Sequence, residues 1–251
     1  MHSYHDATGS FPLAATRSPR HTWVVHVWPY VEQGNLLAAY GNPATQQFYL
    51  PPATITNTTN GVISTPVPLY YCPSDRPGSL WKGDIYWRAR GNYVVNWGAR
   101  TTTGTSTGQA PFGFRNGNSA LPQVTQMTQI IDGTSNTLLL SEVVVAPTDV
   151  DFITHGDIFN DDIKAAGTMF MTLDTPNSGV DVMYCRLSTD PMAPCVDGSP
   201  GRAAARSRHG NGVNAAFCDG SVRTVSNSIP LATWQALGTM NGGEPVSAGD
   251  F

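Results

Sequence analysis

The sequence predicts an α+β fold, one N-terminal helical part packed on an antiparallel sheet with long loop insertions. Three observations predict it. Trp23, Val24, Val27, Trp28 and Val31 recur at the spacing of one apolar helical face. Thr137 to Val145 (TLLLSEVVV) is a continuous run of strand-forming residues. Asp219-Gly220 stands between two β-type runs, 213–218 and 222–225, which is the strongest short-range hairpin signal and predicts a type I′ turn.

Taken in order, residues 1–42 form the helical part, 43–225 the sheet with its loops, and 226–251 a short helix and tail, all within a single domain. The first residues read as the end of a helix stopped by Gly9 and Pro12. Thr22 is placed to cap the next helix. Pro29 removes a backbone donor and restarts it, and Leu36, Leu37 and Tyr40 carry it to Gly41-Asn42-Pro43. Short edge strands are expected at 48–50 and at Ile55, better ones at 69–72 and 91–97. Residues 100–120 read as a surface excursion anchored by Phe112 and Phe114. Asp132-Gly133 is a second Asp-Gly turn, and 168–173 is a further strand candidate. Residues 174–205 read as mostly loop. Ser228 and Pro230 then open a helix through Trp234 to Leu237, followed by a Gly-rich tail from Asn241.

Composition narrows the function classes. Of 251 residues only 13% are charged, with 25 glycines and 19 prolines, the mix of a turn-rich exported protein. At 40% hydrophobic the chain has enough apolar material for a core. A net charge of −4 without a basic tract speaks against nucleic-acid binding and against a charged membrane-surface patch. No apolar run reaches the roughly 18 residues of a membrane span. Four cysteines allow three pairings into two bridges. Cys185–Cys195, closing a loop with Pro191 and Pro194, is the favoured bridge, and four buried thiols is the alternative.

Candidate chemistry is sparse. His209 with Glu142 and Asp219 is an acid–base set that an exported hydrolase would use, but along one extended strand His209 lies roughly 25–30 Å from the turn. The simplest reading of His209 is a histidine bonded to backbone near the hairpin. Ser135 and Ser141 lack the Gly-x-Ser-x-Gly context of a nucleophile elbow. Asp157, Asp161 and Asp162, with Asn160, are oxygen donors that calcium would accept, although their spacing is not that of an EF-hand. Tyr86-Trp87 is the aromatic pair with the least core-like pattern.

One resemblance covers nearly the whole chain. His209, nine residues, then Asp219-Gly220, with Asn214 and Phe217 between, resembles the C-terminal motif of a prepilin-like family of planctomycete-type bacteria, usually labelled a domain of unknown function. Tyr4-His5-Asp6 with Phe11-Pro12, then Pro29-Tyr30-Val31-Glu32-Gln33, resemble its N-terminal signature. Tyr71-Cys72-Pro73-Ser74-Asp75, Asn92-Tyr93, Asp132-Gly133-Thr134-Ser135-Asn136-Thr137 with Glu142, and Gly238 to Glu244 follow in family order.

The resemblance implies a pilin-like layout and a non-enzymatic subunit of a type II secretion or type IV pilus-like filament. It implies anchorage in the inner membrane, an envelope-exposed globular part, and no cofactor. Like subunits, a prepilin peptidase and an assembly platform are the implied partners. Family members carry a long apolar helix before the Tyr-His-Asp signature. This sequence begins four residues before His5, so that anchor is expected to be missing from it. A surface-displayed domain binding calcium or glycan is the alternative.

Overall fold

The structure, a computed structural model, describes residues 1–104, 108–162, 164–186 and 188–246. The chain opens with α1 (His2–Thr8), ended by Gly9. β1 (Ala15–Arg17) and β2 (Arg20–Thr22) make a small antiparallel ribbon that leads into α2 (Trp23–Val27). Pro29 cannot extend α2, because it has no N–H to donate. The backbone tightens into a 3-10 turn, Trp28–Val31, and restarts as α3 (Gly34–Tyr40).

The centre of the fold is a five-stranded sheet. Two short strands, β3 (Leu80–Trp81) and β4 (Arg88–Ala89), pair with each other beside it. The sheet itself contains β5 (Tyr93–Asn96), β6 (Leu138–Glu142) and β7 (Met169–Phe170). After β8 (Asp181–Met183) and β9 (Cys195–Asp197), which form a separate parallel pair, it is completed by β10 (Gly212–Phe217) and β11 (Val222–Ser226). The order is β11-β10-β6-β5-β7. All neighbours are antiparallel except β5 and β7. α4 (Leu231–Leu237) follows and packs Trp234 against Phe170.

Side chains alternate across a strand, and this decides the burial. Val94, Leu139, Val213, Ala215 and Val225 lie on one face and are fully buried. Tyr93, Leu140, Asn214 and Ala216, on the other face, are half-buried, and Val222 at its edge is 69% exposed. The fold is therefore α+β with a mainly antiparallel sheet. One sheet face is sealed and the other is partly open.

The hairpin forms where expected, but its turn differs. Phe217 N–H donates to Ser221 O, Gly220 N–H donates to Phe217 O, and Gly220 has φ 88° while Asp219 stays out of the left-handed region. That is a three-residue loop closed by a left-handed glycine, not a type I′ turn, which needs positive φ at both central residues. Asp219 instead accepts bonds from the Ser221 N–H and hydroxyl. Gly212 is required at the other end of the hairpin. A Cβ there would lie 2.0 Å from the Val225 carbonyl oxygen.

Other expectations are corrected. Residues 48–50 form a turn and bend and Ile55 is irregular, so neither is an edge strand. Leu69 to Cys72 is no strand: Pro68 starts a 3-10 turn, Pro68–Tyr70, whose cramped φ suits the ring. Thr22 does not cap α2, since its hydroxyl donates to the Ile158 carbonyl (2.6 Å). The described parts of 100–120 are not wholly surface, because residues 110–114 are buried. The strand at 137–145 is shortened to β6 and that at 168–173 to β7. The tail is described only to Val246; the expectation for 247–251 lies outside the described residues.

Cys185 and Cys195 are disulfide-bonded, while Cys72 and Cys218 are free and buried. The bridge spans a sequence separation of 10. Loop-closure entropy for a ring of that size predicts that the Cys185→Ala/Cys195→Ala variant loses roughly 2–3 kcal/mol. Urea unfolding of the two forms checks this, and equal midpoints would contradict it.

Candidate functional site

Three chain segments meet at the end of β6. Glu142, its last residue, is buried and anchored by β10: the Asn214 N–H donates to Oε2 (2.8 Å) and Nδ2 approaches Oε1 (3.4 Å). The segment before β10 is docked beside it, because the Arg206 N–H donates to the Glu142 carbonyl (2.8 Å). The Arg206 guanidinium is held by Asp181, which also receives His155 Nε2 (2.7 Å). Burial opposes the charge on Asp181, but His155 and Arg206 outweigh it and hold the carboxyl below its ordinary range.

The third segment carries Cys72. Its N–H donates to Asn92 Oδ1 (2.9 Å), and Asn92 Nδ2 donates to Asp75 Oδ2 (2.6 Å) and the Val143 carbonyl (2.8 Å). Asp75 also takes Arg208 Nε (2.7 Å), so a residue adjacent to His209 is tied to the loop that carries Cys72. The result is a convergence: His209 Nε2 lies 3.3 Å from Glu142 Oε1 and 3.5 Å from Cys72 Sγ. Burial pushes the Cys72 thiol up, and the nearby Glu142 charge adds to this against bonds from Ser74.

The residues singled out in the sequence divide between this site and structural roles. Glu142, His209 and Asn214 are brought together. Asp219 is not: it sits at the hairpin tip, about five extended residues or roughly 16 Å beyond Asn214, so the acid–base set of His209, Glu142 and Asp219 is not assembled. His209 is not simply bonded to backbone; its ring faces Glu142 and Cys72. His5 accepts a bond from the Met127 N–H (3.2 Å) and packs on Phe11, away from the His209 partners, and Asp6 is exposed. Pro29 and Glu32 shape the 3-10 turn, Glu32 ending it in the left-handed region at φ 60°. Gly133 (φ 97°) opens the 3-10 turn Thr134–Asn136, and Asn136 N–H donates to its carbonyl. Asp132 does more than turn the chain, because its carboxylate takes the Gly242 and Gly243 N–H groups and pins the tail.

Two of the three proposed calcium ligands are paired with arginines. Asp157 is paired with Arg88 (2.6 Å) and Asp161 with Arg20 (2.8 Å), while Asp162 meets the Tyr184 hydroxyl (3.3 Å). A calcium ion there would have to displace the buried Arg88 guanidinium and the partly exposed Arg20 guanidinium from Asp157 and Asp161. Cys72 was missed as a partner of His209. Its signal was available: it lies in the Tyr71 to Asp75 motif, and the favoured bridge leaves it unpaired.

Glu142 also lines a trough of about 450 Å³ on the open face of the sheet. Val27, Val31, Leu69, Leu140, Ala216 and Val222 supply most of its apolar wall, and Met1 lies at its rim. A second pocket, of about 270 Å³, is lined by Tyr49, Tyr86 and Tyr184 with Arg20, Asp84 and Asp162. Trp23, Trp28, Trp97 and Trp234 are core, as their helix and strand patterns imply.

Comparison with known proteins places the chain in a family. No curated protein and no solved structure matches the chain. A family model described as "Protein of unknown function (DUF1559)" matches residues 1–232. That match runs from α1 through the hairpin into α4 and takes in Cys72, Glu142 and His209, and the chain belongs to the DUF1559 family.

Proposed function

We propose that the chain is the globular part of a pilin-like, non-enzymatic envelope subunit. The observation that carries this reading is the half-open apolar face of the sheet. Leu69 (57% exposed) and Val222 (69%) line a trough together with Leu140 and Ala216. Apolar surface of this kind gains roughly 25 cal/mol per Å² when covered. Met1 lines the trough, so a helix leading into α1 would leave the domain beside it. In such a subunit the helix would bundle with those of like subunits and anchor the protein in the inner membrane. A prepilin peptidase and a secretion or pilus assembly platform would be its other partners.

The alternative, a surface-displayed glycan-binding domain, would use the second pocket, where tyrosines and carboxylates stand together. The trough offers sugar hydroxyls few partners, which is why the filament reading is preferred.

The test begins with the genomic frame upstream of Met1. A basic leader followed by about 20 apolar residues is expected. In the extended protein, a cysteine placed in that helix should form a disulfide with Val222→Cys. A stop codon directly upstream, or an extended chain that shows no such cross-link, would overturn the proposal.

A further inference from the structure

The contacts around His209 do not describe a hydrogen-bond relay. Both Glu142 Oε1 (3.3 Å) and Cys72 Sγ (3.5 Å) face the same ring nitrogen, Nε2. One imidazole nitrogen carries either a single proton or a single lone pair, so it can serve one of these groups and not both. A thiol–imidazole–carboxylate relay would place its outer partners on opposite nitrogens. The oxygen contact is also longer than an ordinary N–H···O bond.

The spacing instead matches the edges of a coordination tetrahedron. With bonds of about 2.3 Å to sulfur and 2.0–2.2 Å to nitrogen and oxygen, tetrahedral zinc separates S from N by about 3.6 Å and N from O by about 3.4 Å. The three ligand atoms all lie within 4.8 Å of one another, and among the described residues they are the only group of His, Cys, Asp and Glu side chains so arranged. A thiolate and a carboxylate balance the charge of a divalent cation. Each residue is held in place: Asn214 orients the Glu142 carboxylate, Asn92 Oδ1 accepts the Cys72 backbone N–H, and Ser207 Oγ accepts the His209 backbone N–H (3.2 Å). His209 is 35% exposed on its side chain, which leaves an entry path and room for a solvent ligand in the fourth position.

We propose that Cys72, Glu142 and His209 bind a borderline-soft divalent cation of the zinc type, clasping the Cys72 loop, the end of β6 and the approach to β10. The mixed S, N and O donor set suits zinc or cobalt and disfavours calcium and magnesium, which take oxygen. Binding releases the Cys72 thiol proton to solvent as the sulfur–metal bond forms. The inference does not depend on the filament reading.

The test uses the full chain, stripped with chelator under reducing conditions that leave the Cys185–Cys195 bridge intact and titrated with cobalt(II), then zinc(II). One cobalt per chain with a thiolate charge-transfer band is expected, and zinc should displace it. Cys72→Ser should abolish the band, Cys218→Ser should retain it, and His209→Gln should weaken binding at least tenfold. His209 is partly exposed, so that variant should fold, and circular dichroism verifies this. Zinc should also raise the Tm of the parent chain more than that of His209→Gln. No cobalt uptake, a band that survives Cys72→Ser, or unchanged affinity in a folded His209→Gln would each overturn the site.

Discussion

Replacing Asp157 by Asn should destabilise the folded chain by about 3–5 kcal/mol, because it leaves Arg88 as a buried cation without its main counter-charge. Both side chains are inaccessible to solvent, and the guanidinium meets the carboxylate in two bonds of 2.6 Å. Arg88 cannot retreat to water. The Trp81 and Phe48 rings lie 4.8 and 5.6 Å from its Cζ, and its remaining contacts are Asp84 and the Tyr86 carbonyl. The double variant Arg88→Met/Asp157→Asn removes the orphan charge and should recover most of the loss. Denaturant unfolding of the two single variants and the double checks this. A double variant no more stable than Asp157→Asn would show that the cost lies in packing and not in the unpaired charge.

Acidification should cost about 3 kcal/mol through His21 alone between pH 6.5 and pH 4. His21 is buried, and its Nε2 shares a 2.9 Å bond with His26 Nε2. Burial, aided by repulsion from His26, pushes His21 down to about 4, and burial lowers His26 as well. The folded state therefore holds His21 neutral where the unfolded chain already takes up a proton. Stability is full above pH 6.5, falls as pH drops through the interval, and loses nothing more from this group below about 4. Unfolding curves of the parent and His21→Gln across that range check the effect, because the carboxylates are common to both. Parallel pH profiles would refute it.

The hairpin, the helix stops and the Cys185–Cys195 bridge were legible because each rests on local chemistry. Asp219-Gly220 favours a turn whatever surrounds it. Pro29 lacks an N–H in any fold, and two cysteines 10 positions apart close a small ring. The finer outcomes were not local. Leu69 to Cys72 has strand-forming residues, but Pro68 starts a 3-10 turn there and the segment winds through it instead. The acidic residues of 157–162 looked like oxygen ligands until the folded chain set Arg88 and Arg20 against them.

Residue order and local preference thus set the fold class, the place of the hairpin turn, the apolar faces and the bridge, since these depend on neighbours within a few positions. Tertiary structure alone decided the site. Cys72 and His209 are 137 positions apart. They meet only because β6 pairs with β10, which places Glu142 against Asn214, and because Arg208 reaches Asp75 to bring the two loops together. Short-range propensity carries no information about such a meeting, because it is created by strand register and by charges that find each other across the closed fold.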